Sequence, residues 1–186
     1  MTRTLPIVRT GGWFHVVNRG VDRAVLLPTS WAKDEFLANL GEVAHRFAVE
    51  IHAYCAMESH YHILARGPEA ELLRAIAHLE SCRSASFERA RLRRMAVGRH
   101  LLQVTRYIHR NPVEAGLVGQ PYGWPWSSYR GYVDPLAGPR WLRSNSVLGW
   151  LGSIGSRLRY RELVEGIDMN MSNMYDLTYE NDGATR

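Results

Sequence analysis

The chain has 186 residues, 46% hydrophobic and 22% charged, enough for one domain with a real core and ordinary for a globular protein. No apolar run approaches the roughly 18 to 20 residues that cross a bilayer, and the start, MTRTLPIVRTGG, lacks the apolar core of a signal peptide, so no membrane partner and a cytoplasmic location are expected. Residues 1–161 carry 22 basic and 12 acidic side chains and residues 162–186 carry one and six, a basic body with an acidic tail that points to an anionic partner, nucleic acid first.

Residues 13–17 read as a β-strand, rich in aromatic and β-branched side chains and preceded by Gly11 and Gly12. The strand delivers Asn18, Arg19 and Arg23 into a glycine-containing loop, residues 18–23. Such a loop suits phosphate contact, and a solvated turn fits the same residues. Thr29 and Ser30 offer an N-cap, with Asp34 and Glu35 in or near the first turn. Phe36, Leu37, Leu40, Val43, Ala44 and Phe47 then fall at helical spacing, which predicts a helix of about four to five turns with one face on a sheet.

Residues 51–66, IHAYCAMESHYHILAR, read as two short strands joined by a tight polar connection at Glu58 and Ser59. On the second strand His60 and His62 project from one face and Tyr61 from the other. Two neutral imidazoles held side by side make half of a metal site, although two polar residues on a wet sheet face would look the same. Cys55 and Cys82 form no CxxC or Cys/His cluster and read as buried free thiols.

A second helix opens near Glu69, with Pro68 at its first turn and Leu72, Leu73, Ile76 and Leu79 on its buried side. Beyond Cys82 the chain runs SASFERARLRRMAVGRH, where Arg83, Arg89, Arg91, Arg93, Arg94 and Arg99 crowd together without a clear element. A charge run is usually a solvated face, and a cationic strip beside a phosphate site also binds DNA; Arg93, Arg94 and Arg99 are the candidates. From about Arg99 a third helix turns Leu101, Val104 and Ile108 inward. It is expected to stop at Asn111, because Pro112 lacks a donor N–H and disfavours helix at the residue before it. Gln103, Tyr107 and Asn111, four residues apart, form one stripe on this helix.

Residues 113–120 are a glycine-containing turn segment, and PYGWPWSSYRGY, dense in aromatics and proline, reads as irregular coil over a sheet or helix. Residues 141–165 look like one or two short helices of an appended unit, and from Met169 the low periodicity and negative charge predict a flexible tail. The division expected is a domain over residues 1–135, a helical extension over 136–168 and the tail over 169–186.

A divalent ion on His60 and His62 needs a third ligand, and the Asn111 amide oxygen, on a helix able to pack against the histidine strands, can supply it. Imidazole and oxygen donors with open positions suit Mg2+ or Mn2+ bound to substrate phosphate better than a closed zinc site. Tyr107, one turn back, can then attack phosphorus, with the ion and basic surroundings offsetting the developing charge. Each residue has a plainer reading beside this one. Tyr107 suits a core aromatic, and Asn111 before a proline suits a helix terminus.

Four blocks in order over residues 8–133, GGWFHVVNRG, IHAYCAMESHYHILA, RYIHRNPVEAGLV and WPWSSYRGY, resemble the REP-associated tyrosine transposases, relatives of the small single-tyrosine HUH transposases. The resemblance implies that His60 and His62 are metal ligands, Asn111 the third ligand, and Tyr107 the nucleophile of a 5′-phosphotyrosine. It implies an α+β, ferredoxin-like antiparallel sheet with helices on one face, acting on single-stranded DNA beside a hairpin, as a monomer or homodimer. It also makes Asn18, Arg19 and Arg23 candidates for hairpin contact. The chain departs from the family twice: Met57-Glu58-Ser59 stands where Met-Pro-Asn is usual, and RLRRMAVGRH replaces a glycine-x-x-x-glutamine-x-arginine block that leads into an edge strand. Two other functions share the pattern: a non-catalytic nucleic-acid-binding module on this fold, and a metal-dependent phosphodiesterase in which water attacks.

Overall fold

The structure is a computed structural model that describes residues 11–82 and 87–166. The expected acidic tail and Arg83 of the arginine run lie outside the described residues. Strand β1 (Gly12–Arg19), helix α1 (Ser30–Arg46), strands β2 (Glu50–Ala56) and β3 (His60–Gly67), helix α2 (Glu69–Ser81) and strand β4 (Arg91–Met95) follow in that order. The sheet order is β2-β3-β1-β4 and each neighbouring pair is antiparallel, the expected ferredoxin-like arrangement.

Local chemistry sets these boundaries. The Thr29 hydroxyl accepts from the Ala32 N–H at 3.1 Å and caps α1. The tight connection between β2 and β3 closes where the Met57 N–H donates to the His60 carbonyl at 2.9 Å. Pairing with β3 extends β1 further than its apolar run does: Asn18 and Arg19, expected in a loop, are its last residues, opposite Tyr61 and His60. The turn that follows, Val21–Arg23, holds Asp22 at φ 53°, a left-handed conformation that Asp tolerates better than most residues.

The edge strand that the arginine run left in question is present. Arg91 to Met95 pair along β1, with His15 opposite Arg93 and Val17 opposite Arg91. Leu92 and Met95 are half-buried, while charged side chains on an edge strand resist pairing with other chains. Only residues 96–98 separate β4 from the third helix, and Gly98 makes the reversal at φ 120°, which a side chain would disfavour.

One face of the sheet, with Phe14, Val16, Tyr61, Ile63 and Ala65, packs on Phe36, Leu40 and Val43 of α1 and Leu72, Ala75, Ile76 and Leu79 of α2. Leu73 is not among them: it is 51% exposed, because the stripe through positions 72, 75, 76 and 79 turns position 73 outward. Cys55 is a buried free thiol as expected, whereas Cys82 is exposed, just past the end of α2.

The expected layer of helices on one face is there, and the other face is covered too. It receives helix α3 (Arg99–Glu114), with Leu101, Leu102, Val104 and Ile108 packed against Trp13, Ala53, Cys55 and Leu64. This helix passes through Pro112 rather than stopping at Asn111. The proline sits in the last turn, where the missing N–H forfeits one hydrogen bond. The turn closes around it, with Ala115 N–H donating to the Asn111 carbonyl at 3.0 Å and Arg110 paired with Glu114 at 2.8 Å.

Helices α4 (Tyr129–Val133), α5 (Asn145–Leu148) and α6 (Ser156–Glu165) complete this second layer. The aromatic stretch is thus partly helical; its residues 126–128 run along the outer edge of β2, where Ala56 N–H donates to the Trp126 carbonyl at 2.9 Å. Lys33, the chain's single lysine, is buried with its ammonium 4.9 Å from the centre of the Trp126 ring and 5.8 Å from that of Trp124.

On the outer side of α3, fully buried His109 lies 2.7 Å from both the Tyr160 hydroxyl and the Ser128 hydroxyl, and burial pushes its pKa down to about 3. A histidine neutral when folded but protonated when unfolded makes unfolding take up a proton below pH ~6.5. Stability from this residue is therefore present above pH ~6.5 and falls toward pH 3, by about 1.4 kcal/mol per pH unit. Denaturant melts at pH 7.5 and 5.0 should show that loss; equal stability at the two values would mean that His109 accepts a proton without cost.

Candidate functional site

The antiparallel pairing of β1 with β3 brings Trp13, His15, Val17 and Arg19 onto the same face as His60, His62 and Leu64. Helix α3 crosses this face and lays Asn111 between the two histidines. The Asn111 Oδ1 is 3.1 Å from His60 Nε2, and its Nδ2 is 3.2 Å from His62 Nε2. One turn earlier, the half-buried Tyr107 ring stands edge-on to His62, with 5.2 Å between ring centroids. The structure thus brings together His60, His62, Asn111 and Tyr107, the four residues singled out for chemistry.

His15 joins them, a residue that no spacing within its own strand singles out. Its Nε2 lies 3.2 Å from His62 Nδ1, its ring stacks on His62 at 5.3 Å, and Tyr107 stands edge-on to it at 6.1 Å. In an isolated strand a histidine between Trp13 and Val17 looks like a core residue. Only the register with β3 shows what it faces.

Burial sets the electrostatics. It holds the His62 pKa well below the usual value, helped by His15 and His60. His15 is lowered to about 4 by burial and then by Arg93. His60 is lowered by burial and by Arg19, against the opposing hydrogen bond that it donates to Asn111. The imidazoles are therefore neutral at pH 7, the form with a free lone pair that ligation of a metal requires.

Among the described residues, no group of three or more His, Cys, Asp or Glu side chains is placed to hold a metal ion. A set of two histidines and an amide can still hold one: both Nε2 atoms converge on the same side-chain amide. Two imidazoles and one amide oxygen, without a thiolate, would leave positions open for water or phosphate oxygens.

The candidates for DNA contact separate by place. Arg19 points to the site face beside His60 and pairs with Glu88 at 2.8 Å. Asn18, only 2% exposed, lies on the opposite face, donating from its Nδ2 to Glu80, which also accepts from the Tyr61 hydroxyl at 2.7 Å. Arg93 is on the site face and Arg94 on the other, opposite Phe14. Arg99 is exposed at the first residue of α3, and the side chain of Arg23 lies outside the described residues. Arg91, exposed on the site face, belongs with Arg93. Reading 91–95 as a strand is the signal that separates the arginines this way.

Comparison with known proteins adds three findings. The family model for the IS200-like transposases matches residues 9–111, from just before β1 to Asn111 and more than half of the chain. The fold is similar to a solved structure of a REP-associated tyrosine transposase bound to a REP hairpin. The TM-score is 0.56 and the identity 22%, over 75% of this chain and 89% of that one, a likeness of fold. No curated protein sequence matches the chain.

Proposed function

Because the chain belongs to the IS200-like transposase family, we propose that it cuts and rejoins single-stranded DNA beside hairpins, with Tyr107 as nucleophile. The observation that carries this reading is that one helix presents both Tyr107, against His62, and Asn111, between the two histidines. On this reading one chain supplies both halves of the site. A hairpin-bearing strand is the proposed partner, as the structurally similar transposase is bound to a REP hairpin.

Tyr107 Oη attacks a backbone phosphorus; the new O–P bond forms as the bond to the 3′ oxygen breaks. The phenol loses its proton, and the departing oxygen gains one to become a 3′-OH. The other fragment stays on Tyr107 through its 5′ phosphate. One phosphodiester replaces another, so a second 3′-OH can take the fragment without ATP. Mg2+ or Mn2+ held by His60, His62 and Asn111 would polarise the scissile phosphate. The buried His62 ring is held with its Nε2 toward Asn111, and the packed ring of Tyr107 limits where its hydroxyl can point.

The test is incubation with labelled hairpin-bearing single strands and Mn2+, followed by a denaturing gel. A covalent adduct is expected. Binding without an adduct would favour a non-catalytic module, and free product that survives Tyr107→Phe would favour water as nucleophile.

The placement of the arginines gives a second expectation. Arg91→Glu with Arg93→Glu should weaken single-strand binding by about tenfold or more near 0.1 M salt and flatten its salt dependence, since each lost phosphate contact removes about 0.7 from the slope. Arg94→Glu, on the far face, should change affinity less than about twofold. Titrations of a fluorescent strand at several salt concentrations would check this; equal losses from both faces would contradict a DNA path over the site face.

A further inference from the structure

We infer that His15 is a positioning residue for the proposed metal site, fixing the tautomer and ring orientation of His62 through the hydrogen bond between His15 Nε2 and His62 Nδ1. The inference rests on the reading of His60, His62 and Asn111 as ligands.

Asn111 turns its Nδ2 toward His62 Nε2, at 3.2 Å, and an amide nitrogen only donates. His62 Nε2 therefore accepts and carries no proton, so the proton of this neutral ring is on Nδ1. The atom facing Nδ1 is His15 Nε2, at 3.2 Å. His15 must accept there, which puts its own proton on Nδ1. At the other end, Asn111 Oδ1 can only accept, so His60 Nε2 donates to it at 3.1 Å. His60 Nδ1 then accepts from the Ser59 hydroxyl at 3.2 Å.

The two candidate ligands therefore rest in opposite tautomers. His62 already presents a bare Nε2, and His15 keeps it so. His60 presents Nε2–H and must move its proton to Nδ1, where the Ser59 oxygen can accept it, before Nε2 can ligate.

An apolar residue at position 15 could pack against Tyr107 equally well. It would leave the Nδ1–H of the buried His62 ring without an acceptor, and the ring could relieve this by moving its proton to Nε2 or by rotating. Either change removes the lone pair from the site. A glutamine at position 15 offers an amide oxygen and can restore the acceptor.

The experiment uses the full chain and Mn2+ alone, with affinity read by calorimetry and by the electron paramagnetic resonance of free ion. His15→Phe should bind Mn2+ about 10- to 100-fold more weakly, with its melting temperature within a few degrees of wild type. His15→Gln should recover most of that affinity. In metal-free wild type, nitrogen-15 spectra of the rings should show His62 protonated at Nδ1 and His60 at Nε2. Unchanged affinity in His15→Phe, no rescue by His15→Gln, or a His62 ring protonated at Nε2 would each overturn the inference. If His15→Phe does not fold, the glutamine variant and the spectra still decide. His60→Ala separates the two claims. Wild type that binds no Mn2+, or His60→Ala that binds as tightly as wild type, would overturn the ligand reading and the positioning role with it. Loss in His60→Ala but not in His15→Phe would overturn the positioning role alone.

Discussion

Tyr107→Phe is expected to abolish the covalent DNA adduct, by at least about a thousandfold in rate, while hairpin-strand affinity stays within about twofold and the fold is unchanged. The phenylalanine keeps the ring that stands edge-on to His62 and His15, at 5.2 and 6.1 Å, so packing beneath α3 survives. What it removes is the oxygen that would bond to phosphorus, and neither Mn2+ nor the arginines can replace a missing nucleophile. Single-turnover capture on a denaturing gel, beside binding measured in native buffer, separates the two effects. Adduct formation by the phenylalanine variant would remove Tyr107 from the proposed chemistry. Loss of binding and adduct together would place the residue in strand recognition instead.

The two halves of this site were legible in different ways. A strand repeats every second residue and a helix about every fourth, so His60 with His62, and Tyr107 with Asn111, could each be paired from spacing alone. Spacing within an element says nothing about what faces it across the sheet, and that is why His15 stayed hidden. Its place beside His62 depends on β1 lying antiparallel to β3 in the register that sets Val17 opposite His62. The same limit applied to Asn18, which looks like a loop residue until pairing with Tyr61 turns it toward Glu80. The arginine run failed for another reason: strand residues there alternate weakly, because long arginine stems can line either face of an edge. Pro112 misled because proline rules are strongest in a helix interior, and this one falls in the last turn.

The largest expected loss of stability comes from a part of the chain that carries none of the chemistry. Ending the chain after residue 135 would strip Val147, Leu148, Tyr160 and Val164 from the core they share with Leu101, Leu102, Val104 and Ile108 of α3. It would also remove the carbonyls of Leu163 and Val164, which accept from Arg106 at 2.7 Å and Arg110 at 2.9 Å. Helix α6 thus grips the outer side of the helix whose inner side holds Tyr107 and Asn111. The shortened chain keeps every motif residue, yet it should lose cooperative unfolding and form no adduct. Point variants grade the same effect. Tyr160→Ala should cost about 3–5 kcal/mol, as for other buried aromatics. Tyr160→Phe leaves His109 Nδ1 without its hydroxyl partner and should cost about 1–3 kcal/mol. Denaturant unfolding, with adduct yield measured on the folded fraction, tests the series. A 1–135 fragment that unfolds cooperatively and captures DNA as well as the full chain would show that the sheet alone can hold the tyrosine helix in place.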